Sequence, residues 1–207
     1  MITEGIKNKV ANSGLITIDL EEKLHFTKEI ASIDIKDFLF QAIILKEKDF
    51  RNALKEMDWK VYHKSIVAIH CSVDAIIPSW AYMLLGSYLQ NNCLFHAVCK
   101  PSEVLEQYLL QQLSALPLEG YIDQRIVIKG CGKESIPHSV FMKITAMLID
   151  KSKSIMYGEP CSTVPIYKKT NVKISYKLYF YGIQTLIISA RIKKKLKKIK
   201  KNFEQSK

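Results

Sequence analysis

The sequence predicts an α/β domain: an open, three-layer sheet of mostly parallel core strands with crossover helices. Three observations carry that expectation. Four short apolar runs recur between residues 65 and 159 at a spacing of about 30 residues, the length of a βαβ unit. Segments with helical apolar spacing separate them and open at Pro78, Pro101 and Pro137, residues suited to a first helical turn. No proline falls inside any of the four runs, as interior strands require.

The elements follow in order. Residues 2–11 read as a helix stopped by Asn12, Ser13 and Gly14. LITIDL at 15–20 alternates apolar and polar residues and predicts a strand. Residues 35–57 contain few breakers and predict one bent helix or two short ones, with the dense apolar stretch 38–45 buried. SIVAIHC at 65–71 is the first core strand and CLFHAVC at 93–99 the second, with a helix from Pro78 between them. A helix over 101–116 presents Val104, Leu105, Tyr108, Leu109 and Leu113 on one side. RIVIKGC at 125–131 is the third strand, and a helix from Pro137 carries an apolar face through Val140, Ile144 and Leu148. SIMYGE at 154–159 is the fourth strand, and the polar stretch after it, up to Pro165, reads as its exit loop. Short, continuous apolar strands suit a parallel sheet covered on both faces, and right-handed crossovers place the helices there.

The formal charge of +11 suggests a nucleic-acid partner until its distribution is read. Residues 171–207 hold 11 of the 31 basic residues and only Glu204 of the 20 acidic ones, a net +10. The preceding 170 residues balance 20 basic groups against 19 acidic ones and contain only two arginines, Arg51 and Arg125. Arginine is the preferred fork for phosphate and guanine, so the body is not expected to bind nucleic acid. The first ten residues lack an apolar signal-peptide core, and five unclustered cysteines suit a reducing compartment, so the expected location is cytoplasmic.

In an open α/β sheet, ligands bind outside the carboxyl ends of the strands. Cys71, Cys99, Cys131 and Cys161 each follow one of the four runs, whereas Cys93 precedes one. Two site chemistries fit. Thiolates favour zinc or iron–sulfur species, with His70 or His138 adding a nitrogen donor. Alternatively a thiol near a helix N-terminus acts as a nucleophile, Cys131 or Cys161 attacking with His70 or His138 as base. Against both stands an interaction domain whose cysteines are small, partly buried structural residues. Two look-alikes fail. Gly132–Lys133 lacks the earlier glycine of a phosphate loop, because Val127 stands there, and Gly130/Gly132 lack the third glycine of a dinucleotide fingerprint, because Ser135 does.

The blocks VANSGLITIDL, FQAIILKEKDFR, HCSVDAIIPSWAYMLL, VIKGC and SIMYGEPCSTVPIYKK together resemble the bacterial family DUF2480, a domain of unknown function, over about residues 9–169. Three cysteines, Cys71, Cys131 and Cys161, lie in those blocks. Members are often encoded beside iron–sulfur assembly proteins. The resemblance therefore implies an accessory role in cluster assembly, or in handling metal or sulfur, with such proteins as partners. On that reading Cys71, Cys131 and Cys161 bind a metal or Fe–S species, and His70, His138, Asp74 and Glu159 support them. Ser162 and Thr163 then donate hydrogen bonds to the Cys161 sulfur or the cluster.

The resemblance divides the chain into an α/β domain, 1–169, and an extension, 170–207. Within the extension, residues 178–190 are apolar and uncharged but short of the roughly 20 residues a membrane span needs. Ile192, Leu196, Ile199 and Phe203 then share one helical face among lysines. That pattern suits an anionic membrane surface or an acidic partner, and equally an accidental extension read through a lost stop codon.

Overall fold

The computed structural model describes residues 14–130 and 132–169. The predicted helix at 2–11, Cys131 and the 170–207 extension lie outside the described residues.

The domain is α/β with mostly parallel strands in open sheets. Its first strand, β1 (Leu15–Asp19), is followed by the short helix α1 (Leu20–Lys23), β2 (Ile30–Asp34) and a 3-10 turn at Ile35–Phe38. Next come β3 (Leu39–Phe40), β4 (Ile44–Leu45) and α2 (Glu47–Glu56). The regular repeat then runs β5 (Ile66–His70), α3 (Ser79–Leu89), β6 (Phe95–Val98), α4 (Val104–Ser114), β7 (Arg125–Lys129), α5 (His138–Leu148) and β8 (Ser154–Glu159). An additional strand, β9 (Ser162–Lys168), closes the described chain. All four predicted core strands and the three helices between them are present.

The four core strands divide between two sheets. One has the order β2-β5-β6, all parallel, and the other β1-β7-β8-β9, parallel except for the final pair. β3 and β4 form a separate antiparallel ribbon. Alternation along β5 buries both of its faces. Val67 and Ile69 pack with Phe50 and Leu54 of α2 and Ala81, Leu85 and Leu89 of α3. Ile66 and Ala68 pack with Val104 and Tyr108 of α4. In the other sheet Ile18, Ile126, Ile128 and Ile155 meet Leu109 and Leu113 of α4 and Val140, Ile144 and Leu148 of α5. Helix α4 thus serves both sheets, and Leu105 packs against the clusters of each.

A two-way amide clasp adds to this. The His25 N–H donates to Gln112 Oε1 at 2.8 Å, and Gln112 Nε2 donates to the His25 carbonyl at 3.1 Å. The segment after α1 is thereby tied to α4.

Two expectations change. The stretch 35–57 is α-helical only from Glu47 to Glu56, with a single 3-10 turn at Ile35–Phe38. Before that, Gln41 and Ala42 take left-handed φ values of 52° and 55°, which reverse the chain between β3 and β4. The reversal brings Phe38 edge-on to Phe50, 5.1 Å between ring centroids, and buries Leu45 in the α2–α3 cluster, but it leaves Phe40, Ile43 and Ile44 exposed, so the stretch 38–45 is not buried as expected. A continuous helix would not fold back in that way. The predicted exit loop after β8 is a hairpin, with Glu159 opposite Ser162 and Pro160 and Cys161 as its turn. Gly158, at φ 121°, passes so close to the Ser162 carbonyl that a Cβ would lie 2.6 Å from it. Pro165 is accommodated because β9 is an edge strand, and the register shifts between Ile155 and Met156.

Gly130, just past β7, matters sterically. A Cβ there would come within 2.8 Å of the Phe141 ring and 3.1 Å of Ile136 Cδ1. Gly130→Ala is expected to cost about 1–3 kcal/mol through overpacking. Gly120→Ala, where nothing lies within 4 Å, should stay within about 0.5 kcal/mol of the parent. Urea-denaturation midpoints of the two variants check this.

Candidate functional site

The carboxyl ends of the two parallel sheets carry matching arrangements. β1 ends in Asp19 and β2 in Asp34. Each aspartate accepts a backbone N–H two residues on, from Glu21 and Lys36, both at 3.0 Å, and so caps the turn that follows. Each also stands in register with a basic residue ending the neighbouring strand, Asp19 with Lys129 and Asp34 with His70. Lys129 Nζ lies 3.2 Å from Asp19 Oδ2, and His70 Nδ1 lies 4.0 Å from Asp34 Oδ2.

In the four-stranded sheet, Lys129 also pairs with Glu159 of β8 at 3.6 Å. The hydrogen bond to Asp19, followed by the charges of Glu159 and Asp19, raises the Lys129 pKa and keeps it cationic. Lys129 precedes Cys131 by two residues and Glu159 precedes Cys161 by two. The ion pair thus joins the ends of two adjacent strands that each lead into a cysteine.

The connection after β7 is anchored from α1. The Glu21 carboxylate accepts the backbone N–H groups of Lys133 at 3.1 Å and Glu134 at 3.3 Å. It lies against Gly132, where a Cβ would collide with it.

Beyond this connection, α5 and the β8–β9 hairpin enclose an apolar crevice of about 340 Å³. Ile128 and Tyr157, opposite each other in register, form its floor. Phe141 stands edge-on to Tyr157, 5.6 Å between centroids, and His138, the first residue of α5, lines the crevice as well.

The described residues among the predicted site fall at the ends of both sheets. Cys71 follows β5 in the three-stranded sheet, half-buried, with its thiol donating to the Val73 carbonyl at 3.3 Å. Cys161 is exposed at the hairpin turn of the other sheet. Cys131 lies outside the described residues. Asp74 is exposed beside Ile43, Ile44 and Ile76, and Pro78, not Asp74, takes the N-cap position of α3. Ser162 and Thr163 belong to β9, and the Thr163 hydroxyl faces Met156 Sδ at 3.7 Å. Burial pushes the Cys93 and Cys99 thiols up, which favours their neutral form. Cys93 Sγ nevertheless comes within 3.7 Å of His96 Nδ1. Among the described residues, no group of three or more His, Cys, Asp or Glu side chains is placed to hold a metal ion.

A comparison with protein families matches residues 4–169 to DUF2480, described as a protein of unknown function. The chain belongs to the DUF2480 family. No curated protein and no solved structure matches it. Among the described residues of this DUF2480 chain, no helix is long and apolar enough to cross a membrane.

Sequence reasoning missed Asp19, Asp34, Glu21 and Lys129. The recurrence of an Ile-Asp pair followed by Leu or Ile, at 18–20 and 33–35, is the signal that could have found the two aspartates. Burial raises the Asp34 carboxyl, but hydrogen bonds from the Ser72 hydroxyl and the Lys36 and Ser72 N–H groups, with the His70 charge, outweigh it. The net result lies below the ordinary carboxylate value. Such a group stabilises the fold above the unfolded pKa of about 3.9 and loses that contribution as pH falls through its folded value. Asp34→Ala is expected to cost about 0.5–2 kcal/mol at pH 6 through the lost cap. The gap to the parent should narrow below about pH 4. Urea midpoints measured across pH check both expectations.

Proposed function

We propose that this DUF2480 chain is a cytoplasmic accessory protein that takes up a thiophilic metal or an iron–sulfur species as cargo. Cys131 and Cys161 would carry the cargo at the carboxyl end of the four-stranded sheet, and proteins of iron–sulfur assembly would be its partners. The observation that carries this reading is the Lys129–Glu159 pair at 3.6 Å, which ties together two adjacent strand ends, each two residues short of a cysteine. Exposure of Cys161 supports it, because a thiol that receives and passes on cargo must be reachable by a partner. Cys71, in the other sheet and hydrogen-bonded to Val73, is assigned a packing role.

The described residues supply no complete metal cage. On this reading the cargo is shared between the Cys131 and Cys161 thiols and a partner's ligands. A thiol nucleophile is the second reading, favoured by His138, which opens α5 and lines the crevice at the end of the connection that contains Cys131.

Anaerobic purification followed by iron and zinc analysis and an absorption spectrum separates these readings. The cargo reading expects metal or a cluster band that falls by about half or more in Cys131→Ala and in Cys161→Ala but persists in Cys71→Ala. Metal-free protein whose spectrum is the same in every cysteine variant sinks it. One thiol alkylated far faster than the rest, in such metal-free protein, would favour the nucleophile.

A further inference from the structure

We infer that the crevice between α5 and the β8–β9 hairpin is a binding pocket for a small aromatic molecule that carries an oxygen acceptor. Its volume of about 340 Å³ falls in the lower part of the range of small-molecule sites. Ile128 and Tyr157 place it near the carboxyl ends of two adjacent parallel strands, where open α/β sheets bind ligands.

The walls select the ligand body. Phe141 and Tyr157 stand perpendicular to each other and make this wall of the crevice aromatic, a surface suited to edge or face packing of a further ring. Met142 adds a thioether, which adapts to and favours aromatic contacts. Two of the lining apolar side chains stay open to water, Met142 at 74% and Ile166 at 52% exposure. Covering such apolar surface is the driving force for occupation.

The polar groups select the head. The Thr145 hydroxyl is committed to the Phe141 carbonyl at 2.8 Å and is not free for a ligand. His138 makes no hydrogen bond among the described residues, is exposed and lines the crevice, so its imidazole is the donor that meets an incoming oxygen. A ring with a carboxylate or carbonyl satisfies both requirements, and an aliphatic body or a ring without a polar head satisfies only one. This inference is independent of the thiol cargo reading, because it uses neither Cys131 nor Cys161.

The test is titration of the full chain with phenylacetate, cyclohexylacetate and toluene, followed by NMR of the protein's aromatic and methionine methyl signals. Phenylacetate is expected to bind saturably and about tenfold or more tightly than either of the other two. Met142→Glu and Ile166→Glu, at exposed positions where the fold is spared, should each weaken phenylacetate by about tenfold with unchanged circular dichroism. His138→Ala should erase the preference for phenylacetate over toluene while leaving the preference for the aromatic ring. Equal affinity for all three probes, no saturation at millimolar concentration, or binding indifferent to both glutamate substitutions overturns the proposal.

Discussion

Helix α4 is the constraint on which the domain depends. Neither parallel sheet buries all its apolar faces by its own helices, and α4 supplies a wall to both. Val104 and Tyr108 cover Ile66 and Ala68 of β5, while Leu109 and Leu113 join the isoleucines of β1, β7 and β8. Leu105 stands between the two clusters. An ordinary amphipathic helix presents one apolar stripe. Here the stripe widens to five positions within ten residues, because the helix must face two sheets rather than one. The amide clasp between Gln112 and His25 then ties the segment after β1 and α1 to the same helix, so that the two sheets keep a common reference.

With the sheets held in this way, their carboxyl ends become comparable. Each pairs a capping aspartate on an outer strand with a basic residue in register on the next, Asp19 with Lys129 and Asp34 with His70. The difference lies in what adjoins the pair. In the three-stranded sheet, Cys71 turns inward against the α2–α3 cluster. In the four-stranded sheet, Lys129 reaches on to Glu159, Glu21 anchors the backbone past Gly132, and the hairpin carries Cys161 out into solvent. Charge pairing organises both ends, and at the second it is joined by the exposed thiol of Cys161 and by the apolar crevice beside Tyr157.

Much of this was legible in the residues. The short apolar runs of β5, β6, β7 and β8, and the helices that begin near Pro78 and Pro137, follow from local periodicity and from what proline forbids. The hairpin β3–β4 was not legible, because its dense apolar residues fit a helical period as well as a strand, and non-glycine residues at positive φ leave no local mark. β9 was hidden by Pro165, a residue that argues against a strand unless the strand lies at an edge. β2 lay unread for a different reason. Five residues with a single fully buried side chain, Ile33, make too short a pattern to stand out.

For the site, the sequence by itself determined that cysteines follow the core strands and that glycines flank position 131, since both depend only on where short apolar runs stop. It also determined that residues 1–170 are almost neutral and hold only two arginines, so that the excess positive charge is confined to the extension. Which strand ends are neighbours was decided only by tertiary structure. Partition of the repeat between two sheets separates Cys71 from Cys161 and makes Lys129 and Glu159 partners. The physical reason is that strand order is set by which faces can be covered together, above all by α4. Covering a face is a property of helices and strands distant in sequence, which no local pattern encodes.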